Sequence, residues 1–457
     1  MTWTPELIAE ALDVSIRQEG TRGLSRRVVI DSRVIEPGDI FFAIRGVRQD
    51  GHQFISKAVR AGAGAVVLER ENRDVPADVH VFKVRDSTRA LGQMAAYHRR
   101  RFSVPVIAVT GSAGKTAVKD MAAHVLSGKY RILKTERSLN NHWGLPLTLL
   151  NLSPSHQAVV VELGINRPGE MEYLAAMARP DIAVFTNIGA SHLAGLKSLK
   201  GVLREKAVLL KHLSPGGLVI FNDDDALLRT LRMRGGKVVR YSLEHRADIF
   251  ALDLICGRSG MRFLLNGRYP VRLKTPVRAM VANALAAAAC GRALGMTWQD
   301  IVRRLESFRP CVQRQCLVKT AGMTIIDDTY NANPLSYASA AETLRDIKTQ
   351  GKKIAVCGDM LELGRRAPVQ HRKVGKILAR AQADLVVCFG PQGLYIKEGY
   401  EQARGPGRTV CYTRLGPLNR FLAAQAGSGD TILIKGSRGM RMERVVDYLR
   451  RRSRGGE

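Results

Sequence analysis

The residues best suited to chemistry lie in the segment VIAVTGSAGKT, between Val106 and Thr116. An apolar run breaks there into a glycine loop that ends in Lys115 and Thr116 and opens a predicted helix. Gly111 and Gly114 allow backbone N–H groups to face an anion. Lys115 can reach the outer phosphates of a nucleoside triphosphate, and the Thr116 hydroxyl can bind Mg²⁺. The spacing G-x-x-G-K-T is shorter than the general phosphate-loop pattern, so an ordinary glycine turn is the alternative.

Polar side chains follow several other predicted strands at the point where each strand ends. Glu162 closes AVVVE, Asn187 and His192 follow DIAVFT, and the pair Asp327-Asp328 closes MTIIDD. Ligands of open parallel sheets bind at the carboxyl ends of the strands, so these residues are candidates for a common site. Each of them could instead cap a helix or satisfy a turn.

The pattern of apolar runs predicts an α/β protein of three domains. These are a small α/β N-terminal domain (1–100), a central P-loop domain with a parallel sheet (101–312) and a C-terminal Rossmann-like domain (313–457). Helices are predicted over 87–101, 201–212 and 282–294, and the last of these is rich in alanine. In the third domain, five apolar runs with intervening segments predict a doubly wound sheet. The arginine-rich end, RRRSRGGE, is expected to be disordered.

The chain is strongly basic, with 457 residues and a formal net charge of +30. Its arginines are scattered, and no alternation of aromatic and basic residues marks a base-stacking surface, so nucleic acid is not the expected partner. A dispersed basic surface also suits a substrate that carries phosphates and carboxylates. The 45% hydrophobic content fits a globular α/β protein.

The seven cysteines include no C-x-x-C pair, which argues against a zinc site and a disulfide framework. Reduced thiols in strand-like runs such as LVVCFG fit the cytoplasm. We expect neither a signal peptide nor a membrane span, because the start of the chain is acidic and amphipathic and no long apolar stretch occurs.

Motifs spread along the chain resemble those of the Mur ligase family. They occur in family order over roughly residues 25 to 445, and they are DSRVIEPGDIFFAIRG, DGHQFI, TGSAGKT, NNHWGLPLTLL, VVELG, NIGASHL, DDTYNANP, GDMLELG and KGSRGMRME. The resemblance implies an ATP-dependent, ADP-forming ligase of cytoplasmic peptidoglycan precursor synthesis, expected to act as a monomer. The pairing of ELG with DDTYNANP and GDMLELG implies that it adds D-alanyl-D-alanine to UDP-N-acetylmuramoyl-tripeptide through an acyl phosphate.

The resemblance also implies roles for individual residues. Lys115, His192 and Lys206 would be catalytic, and Thr116 and Glu162 would hold one Mg²⁺. His192 and Lys206 would bind a second Mg²⁺, with Lys206 carbamylated so that its cation becomes an anion. From its sequence context alone, Lys206 could equally be a solvated helical lysine.

Two larger sets of contacts follow from the same resemblance. Alternatives for these residues are buried helix polar groups, surface arginines and turn-forming side chains, and Asp31 beside the first-domain pair could be a turn residue. The ATP-binding set is Gly111, Ser112, Ala113, Gly114, Lys115, Thr116, Asn283, Arg314 and Asp328. The substrate-binding set is Ser32, Arg33, Asn331, Asn333, Lys435, Ser437 and Arg438.

The chain departs from the family pattern at two places. Val277-Arg278-Ala279-Met280 stands where the family usually has Gly-Arg-His-Asn, and Gln313 replaces a glycine before Arg314. Gln313 is expected to remove a positive-φ option from a hinge. Three other functions therefore stay open: a Mur-type ligase with another acceptor, a basic P-loop ATPase or binding module acting on nucleic acid, and a degenerate ligase that binds nucleotide without turnover.

Overall fold

The structure is a computed structural model that describes residues 2–46, 49–72, 74–232, 235–257, 260–310 and 313–452. Three sheets with helices packed on them confirm the predicted α/β class. The domain boundaries near residues 100 and 312 stay predictions. Within these ranges, no helix is long and apolar enough to cross a membrane.

The first sheet has the strand order β1-β5-β4-β3-β2, with β1 antiparallel to β5 and the other neighbours parallel. Helix α1 begins where the Thr4 hydroxyl accepts the Leu7 N–H, with Pro5 in its first turn. Helix α3 packs on the central domain, where Gly92 lies against Tyr173. The elements are α1 (Pro5–Leu12), β1 (Ile16–Gln18), β2 (Val28–Val29), β3 (Ile40–Phe42), α2 (Ile55–Arg60), β4 (Ala65–Leu68), β5 (His80–Lys83) and α3 (Ser87–Arg100).

The central sheet has the order β14-β13-β12-β11-β10-β9-β6-β8-β7. Its strands from β7 to β12 are parallel, as predicted, and β6 lies between β8 and β9. The elements are β6 (Val106–Thr110), α4 (Lys115–Leu126), β7 (Ile132–Lys134), α5 (Gly144–Leu150), β8 (Ala158–Glu162), α6 (Glu170–Ala178), β9 (Ile182–Phe185), α7 (Leu193–Leu196), α8 (Leu199–Ala207), β10 (Leu218–Asn222), β11 (Lys237–Ser242), β12 (Ile249–Gly257), β13 (Gly260–Leu265), β14 (Tyr269–Leu273), α9 (Arg278–Ala293) and α10 (Trp298–Ser307).

The C-terminal sheet has the order β15-β16-β20-β17-β18-β19. The five predicted apolar runs form its parallel part, and β15 adds an antiparallel edge. The elements are β15 (Cys316–Thr320), β16 (Met323–Asp328), α11 (Pro334–Asp346), β17 (Lys353–Gly358), α12 (Ala367–Arg380), β18 (Leu385–Phe389), α13 (Gly393–Gln402), β19 (Arg408–Tyr412), α14 (Leu415–Gln425), β20 (Thr431–Lys435) and α15 (Glu443–Arg452).

Several local predictions need correction. Antiparallel β13 and β14 extend the central sheet beyond the predicted parallel strands. The helix predicted over 201–212 is α8 followed by a 3-10 turn from Val208 to His212. The predicted disorder of the tail is wrong for Arg450–Arg452, which end α15, because its Val445, Val446 and Leu449 are buried in the C-terminal core. Residues 453–457 lie outside the described residues.

Gln313 contradicts the expectation that replacing glycine removes a positive φ. Its φ is +64°, so the glutamine adopts the left-handed conformation despite its Cβ. The Tyr330 N–H donates to the Gln313 carbonyl at 3.1 Å, and Arg438 donates to its side-chain oxygen at 3.3 Å. These contacts hold the strained backbone at the entry to the C-terminal domain.

We therefore expect Gln313→Gly to stabilise the protein by about 1 kcal/mol, because glycine adopts this conformation without a Cβ clash. Chemical denaturation monitored by circular dichroism measures the free energy of unfolding. The matched control is Gln402→Gly in helix α13, which should destabilise by about 0.5–1 kcal/mol. A loss of stability in Gln313→Gly would show that the side-chain contact outweighs the backbone strain.

Candidate active site

A cavity of about 770 Å³ lies between the central and C-terminal domains. It collects most of the side chains that the sequence singled out, although they come from distant parts of the chain. Gly111 and Lys206 lie outside the lining, as do Ser32 and Arg33 in the first domain. The predicted residues that line the cavity are Ser112, Ala113, Gly114, Lys115, Thr116, Glu162, His192, Asn283, Arg314, Asp328, Asn331, Asn333, Lys435, Ser437 and Arg438.

The glycine loop between β6 and α4 needs both of its glycines. Gly111 has φ +147°, and a Cβ there would lie 1.9 Å from Thr186 Oγ1. Gly114 has φ +79° and precedes the first residue of α4, with Asn283 Oδ1 packed 3.0 Å from where its Cβ would be. The loop therefore approaches its neighbours too closely for any side chain, which rules out the ordinary glycine turn as a sufficient description.

The strand-end residue Asn187 fixes the shape of this loop. Its carbonyl accepts the Ser112 N–H at 2.9 Å, and its side-chain oxygen accepts the Ala113 N–H at 2.8 Å. The N–H groups that follow begin α4, where a helix has no internal acceptors for them. The helix therefore presents its N-terminus, with its partial positive charge, at the loop.

Lys115 lies at the centre of the cleft. Its Nζ donates to the Gly111 carbonyl at 3.0 Å. Burial lowers the pKa of Lys115, nearby Glu162 opposes this effect, and Arg314 adds to it. The ammonium group thus faces an incompletely neutralised, poorly solvated space, which is a favourable place for polyphosphate.

Thr116 and Glu162 are already in contact. The threonine hydroxyl donates to Glu162 Oε2 at 2.7 Å, and the Asn140 amide donates to Glu162 Oε1 at 2.7 Å. Strands β6 and β8 are parallel neighbours, so their carboxyl ends bring the loop and this carboxylate together. A buried hydroxyl and a carboxylate, both oxygen donors, match what Mg²⁺ prefers.

Lys206 is not the solvated helical lysine that its sequence context allows, because its side chain is 1% exposed. Burial and the neighbouring Lys115 lower its pKa well below the usual value, while Glu162 and Glu205 act in the opposite direction. An amine in this environment is readily neutral. The structure therefore places Lys206 directly behind Lys115 and Glu162.

His192 contacts the C-terminal domain. Its Nδ1 lies 2.6 Å from Glu362 Oε2, and this hydrogen bond lowers the pKa of Glu362. Both residues have positive φ, +52° and +65°. The Ala194 N–H also donates to the Glu362 carbonyl at 3.2 Å, so the two turns dock through backbone as well as side chains. Glu362 leaves Nε2 of the ring available, as in many carboxylate-oriented histidine ligands.

A buried ion pair forms the C-terminal wall of the cleft. Lys435 Nζ lies 2.7 Å from Asp328 Oδ2 and donates to the Asn331 carbonyl at 2.9 Å. The two charged residues end β20 and β16 and stand in register. Because both are over 90% buried, removing either partner would leave an unpaired charge.

Contacts across the cleft bring the C-terminal domain onto the glycine loop. Asn333 caps α11 and uses its amide to donate to the Ser112 carbonyl at 3.1 Å. The Tyr330 hydroxyl donates to Ser138, and the guanidinium carbon of Arg314 lies 3.9 Å from the centre of the Tyr330 ring. This arrangement is a closed conformation, with nucleotide-loop and C-terminal residues in one space.

The departure from Val277 to Met280 also lines the cleft. Met280 is buried, and its sulfur accepts a hydrogen bond from the Asn283 amide at 3.4 Å. Asn283 itself packs against Gly114. The substituted segment therefore still supports a polar residue at the glycine loop.

Ser32 and Arg33 lie apart from this cleft. Ser32 is buried, whereas the exposed Arg33 side chain pairs with Asp31 at 2.6 Å. Asp31 also accepts the Arg33 N–H at 3.0 Å, which is the turn role left open from the sequence. Their contact with substrate stays a prediction.

The residues present fit a triphosphate and a divalent cation. Two obligatory glycines, a buried cation and the Thr116–Glu162 oxygen pair meet in one place. Across the described ranges, no group of three or more His, Cys, Asp or Glu side chains could hold a metal by itself. Such a sparse protein donor set is typical of Mg²⁺ that is shared with substrate phosphates.

Sequence reasoning missed the roles of Asn140 and Glu362. Both occur in motifs that carried the resemblance, NNHWG and GDMLELG. The signal was therefore present, but only the fold reveals that one orients a carboxylate and the other a histidine.

A P-loop sheet closed by a C-terminal α/β domain defines a nucleotide-dependent enzyme, and comparison of sequences identifies its class: the chain belongs to the Mur ligase family. The matching domain descriptions are the Mur ligase family, catalytic domain (26–99), the Mur ligase middle domain (109–291) and the Mur ligase, glutamate ligase domain (313–438).

Within the family, the chain is similar to UDP-N-acetylmuramoyl-tripeptide--D-alanyl-D-alanine ligases. The Bacillus subtilis enzyme is 35% identical, with 92% of each chain covered. The Escherichia coli enzyme is 36% identical, with 92% of this chain and 93% of the relative covered. These similarities do not favour the alternatives left open above.

Solved structures give the same result. MurF from Acinetobacter baumannii matches with a TM-score of 0.88, 30% identity and 99% of both chains covered. MurF ligase from Thermotoga maritima, crystallised in complex with ADP, matches with a TM-score of 0.84 and 29% identity, covering 95% of this chain and 98% of that one. ATP use follows from family membership and from this ADP-bound relative.

Proposed function

We propose that the protein is an ATP-dependent, ADP-forming ligase that joins D-alanyl-D-alanine to UDP-N-acetylmuramoyl-tripeptide in peptidoglycan precursor synthesis. The observation that carries this proposal is the single cleft in which Lys115 and the Thr116–Glu162 pair face the Asp328–Lys435 pair. The names of the relatives supply the substrates. Action in the cytoplasm and as a monomer is part of the same proposal.

The chemistry follows from the poor reactivity of a carboxylate, whose charge repels an incoming amine. Transfer of the γ-phosphate to the tripeptide carboxylate gives an acyl phosphate with a good leaving group. The dipeptide amine then attacks the acyl carbon, the amide forms and phosphate departs. Such a phosphoryl transfer depends on positioning and charge neutralisation more than on covalent help from the protein.

Individual residues have defined tasks in this proposal. Lys115 neutralises the outer phosphates, and the N-terminus of α4 receives them. Thr116 and Glu162 would hold Mg²⁺, which supplies charge neutralisation at the phosphates when bound. Asn140 orients the Glu162 carboxylate, and Glu362 orients the His192 imidazole.

The second cation site is part of the proposal. His192 and Lys206 are its ligands, and a neutral Lys206 amine can react with CO₂ to give a carbamate with oxygen donors. Support comes from the burial of Lys206 beside Lys115 and Glu162 and from the orientation of His192 by Glu362. In the described structure no hydrogen bond joins His192 to Lys206 directly.

Substrate binding divides between the domains. Ser32 and Arg33 would hold the uridine nucleotide in the first domain. The C-terminal set Asn331, Asn333, Lys435, Ser437 and Arg438 would bind near the incoming dipeptide, and Asn283, Arg314 and Asp328 near ATP. This division requires closure around the substrates, and the contacts between Asn333 and Ser112 are of the kind that closure needs.

The test is a product assay with a panel of substrates. With ATP, Mg²⁺, UDP-N-acetylmuramoyl-tripeptide and D-alanyl-D-alanine, we expect one amide product and one ADP per turnover, and omission of the tripeptide should abolish ADP formation. Product formed instead with glutamate or diaminopimelate on a shorter acceptor would overturn the proposed substrates. ATP hydrolysis stimulated by DNA or RNA without a response to the tripeptide would overturn the proposed reaction.

A further inference from the structure

Three cysteines stand side by side on neighbouring strands of the C-terminal sheet. Cys357 on β17 is in register with Cys388 on β18, and Cys388 is in register with Cys411 on β19. In-register residues of parallel neighbours point to the same face of a sheet. The three thiols therefore form a row that runs from the middle of the sheet to its edge.

The row has an inner and an outer end. Cys357 and Cys388 are completely buried, whereas Cys411 is exposed on the edge strand β19. Helix α13 covers the inner pair, since a Cβ on Gly393 would lie 2.9 Å from Cys388 Cβ. A small solvent-borne reagent can thus reach Cys411 first and finds Cys388 directly behind it.

The spacing of the outer two cysteines suits a covalent link. Neighbouring strands lie about 4.8 Å apart, and the Cα atoms of disulfides are about 4.4–6.8 Å apart. The two thiols also interact with each other: hydrogen bonding between them raises the pKa of Cys388 and lowers that of Cys411 to about 7. Lys397 on α13 also lowers the pKa of Cys411, while burial and Glu401 oppose the shift. Cys411 therefore has thiolate character at neutral pH.

We propose that Cys388 and Cys411 form a peroxide-sensitive dithiol that closes to a disulfide across β18 and β19. The Cys411 thiolate attacks one oxygen of hydrogen peroxide, the O–O bond breaks, and a sulfenic acid and hydroxide result. The Cys388 sulfur then attacks the sulfenic sulfur, the S–S bond forms, and the hydroxyl leaves as water with the Cys388 proton. Two thiols lose two electrons, and one peroxide becomes two waters.

This modification site is separate from the ligase cleft. Neither cysteine lines the cavity, and both lie on the side of the sheet where β19 forms the edge. The link would tie the edge strand to its neighbour without filling the substrate space. Ligase turnover by Cys411→Ser should therefore equal that of the unsubstituted protein, which separates this proposal from the proposed function.

The experiment treats the full-length, reduced protein with hydrogen peroxide and follows intact mass and digested peptides. We expect a loss of two hydrogen masses and one peptide pair linked through Cys388 and Cys411. Cys411→Ser should show no such link, and Cys256→Ser, at a partly exposed cysteine outside the row, should retain it. Because Cys411 is exposed, its variant tests the proposal even if the buried Cys388→Ser variant fails to fold.

Two results would overturn the proposal. One is accumulation of sulfinic acid on Cys411 of the unsubstituted protein while Cys388 remains a free thiol. The other is a disulfide that joins any other pair, Cys357 with Cys388 included, or a Cys411 that stays reduced while peroxide modifies other thiols.

Discussion

Lys115→Ala is expected to lower ligase turnover at least about 100-fold, which is the scale of a lost charge stabiliser in a water-poor site. Lys115 is the ammonium group at the head of α4, and its low pKa reflects burial that a bound polyphosphate would offset. Steady-state phosphate release and amide formation measure the loss. Because the interaction grows as charge develops on the transferred phosphoryl group, we expect the loss in kcat as well as in kcat/KM.

A matched control for Lys115→Ala is Lys129→Ala. Lys129 is exposed just beyond the same helix and donates only to the Gly295 carbonyl. This variant should keep near-normal turnover, which would exclude a general effect of removing one positive charge. Near-normal phosphate release by Lys115→Ala itself would contradict the assignment of the phosphate loop.

Lys206→Ala is expected to lose ligase activity on a similar scale, about 100-fold or more, because it removes the group proposed to carry a carbamate. Added short carboxylic acids should restore part of the activity by placing a carboxylate where the carbamate oxygens would lie. Incubation of the unsubstituted protein with ¹³C-labelled bicarbonate should also give a carbamate signal by nuclear magnetic resonance, and this signal should be absent in Lys206→Ala.

The control for Lys206 lies on the same helix. Lys200 in α8 is exposed, so Lys200→Ala should retain both the activity and the carbamate signal. Thermal unfolding of both variants separates loss of the buried side chain from loss of function. A folded Lys206→Ala that no carboxylic acid rescues, together with an unlabelled native protein, would contradict the carbamate.

The phosphate loop and the strand-end residues could be predicted because they depend on local sequence and on one rule of topology. A glycine loop between a strand and a helix is visible as a motif. Parallel strands bring their carboxyl ends to one edge, so Glu162 and Asn187 were expected near the loop and lie there.

Contacts between distant segments could not be predicted in this way. His192 and Glu362 come from different domains, and their pairing depends on how two turns dock. The burial of Lys206 likewise depends on packing around α8, and the sequence alone favoured a solvated lysine. Gln313 shows a third limit, since tertiary contacts hold a non-glycine residue in a conformation that local preference disfavours.

The roles of Ser32 and Arg33 stay predictions because neither residue lines the described cleft. Their turn is well formed by Asp31, yet a turn does not identify a ligand. The high net charge of +30 likewise has no structural explanation.

The central claim is that the cleft activates a carboxylate by phosphorylating it before an amine attacks. The most direct measurement uses UDP-N-acetylmuramoyl-tripeptide labelled with ¹⁸O in the reacting carboxylate, followed by mass spectrometry of the phosphate released during amide formation. We predict that each phosphate carries one ¹⁸O atom from the acid. Release of unlabelled phosphate while the amide product accumulates would contradict the claim.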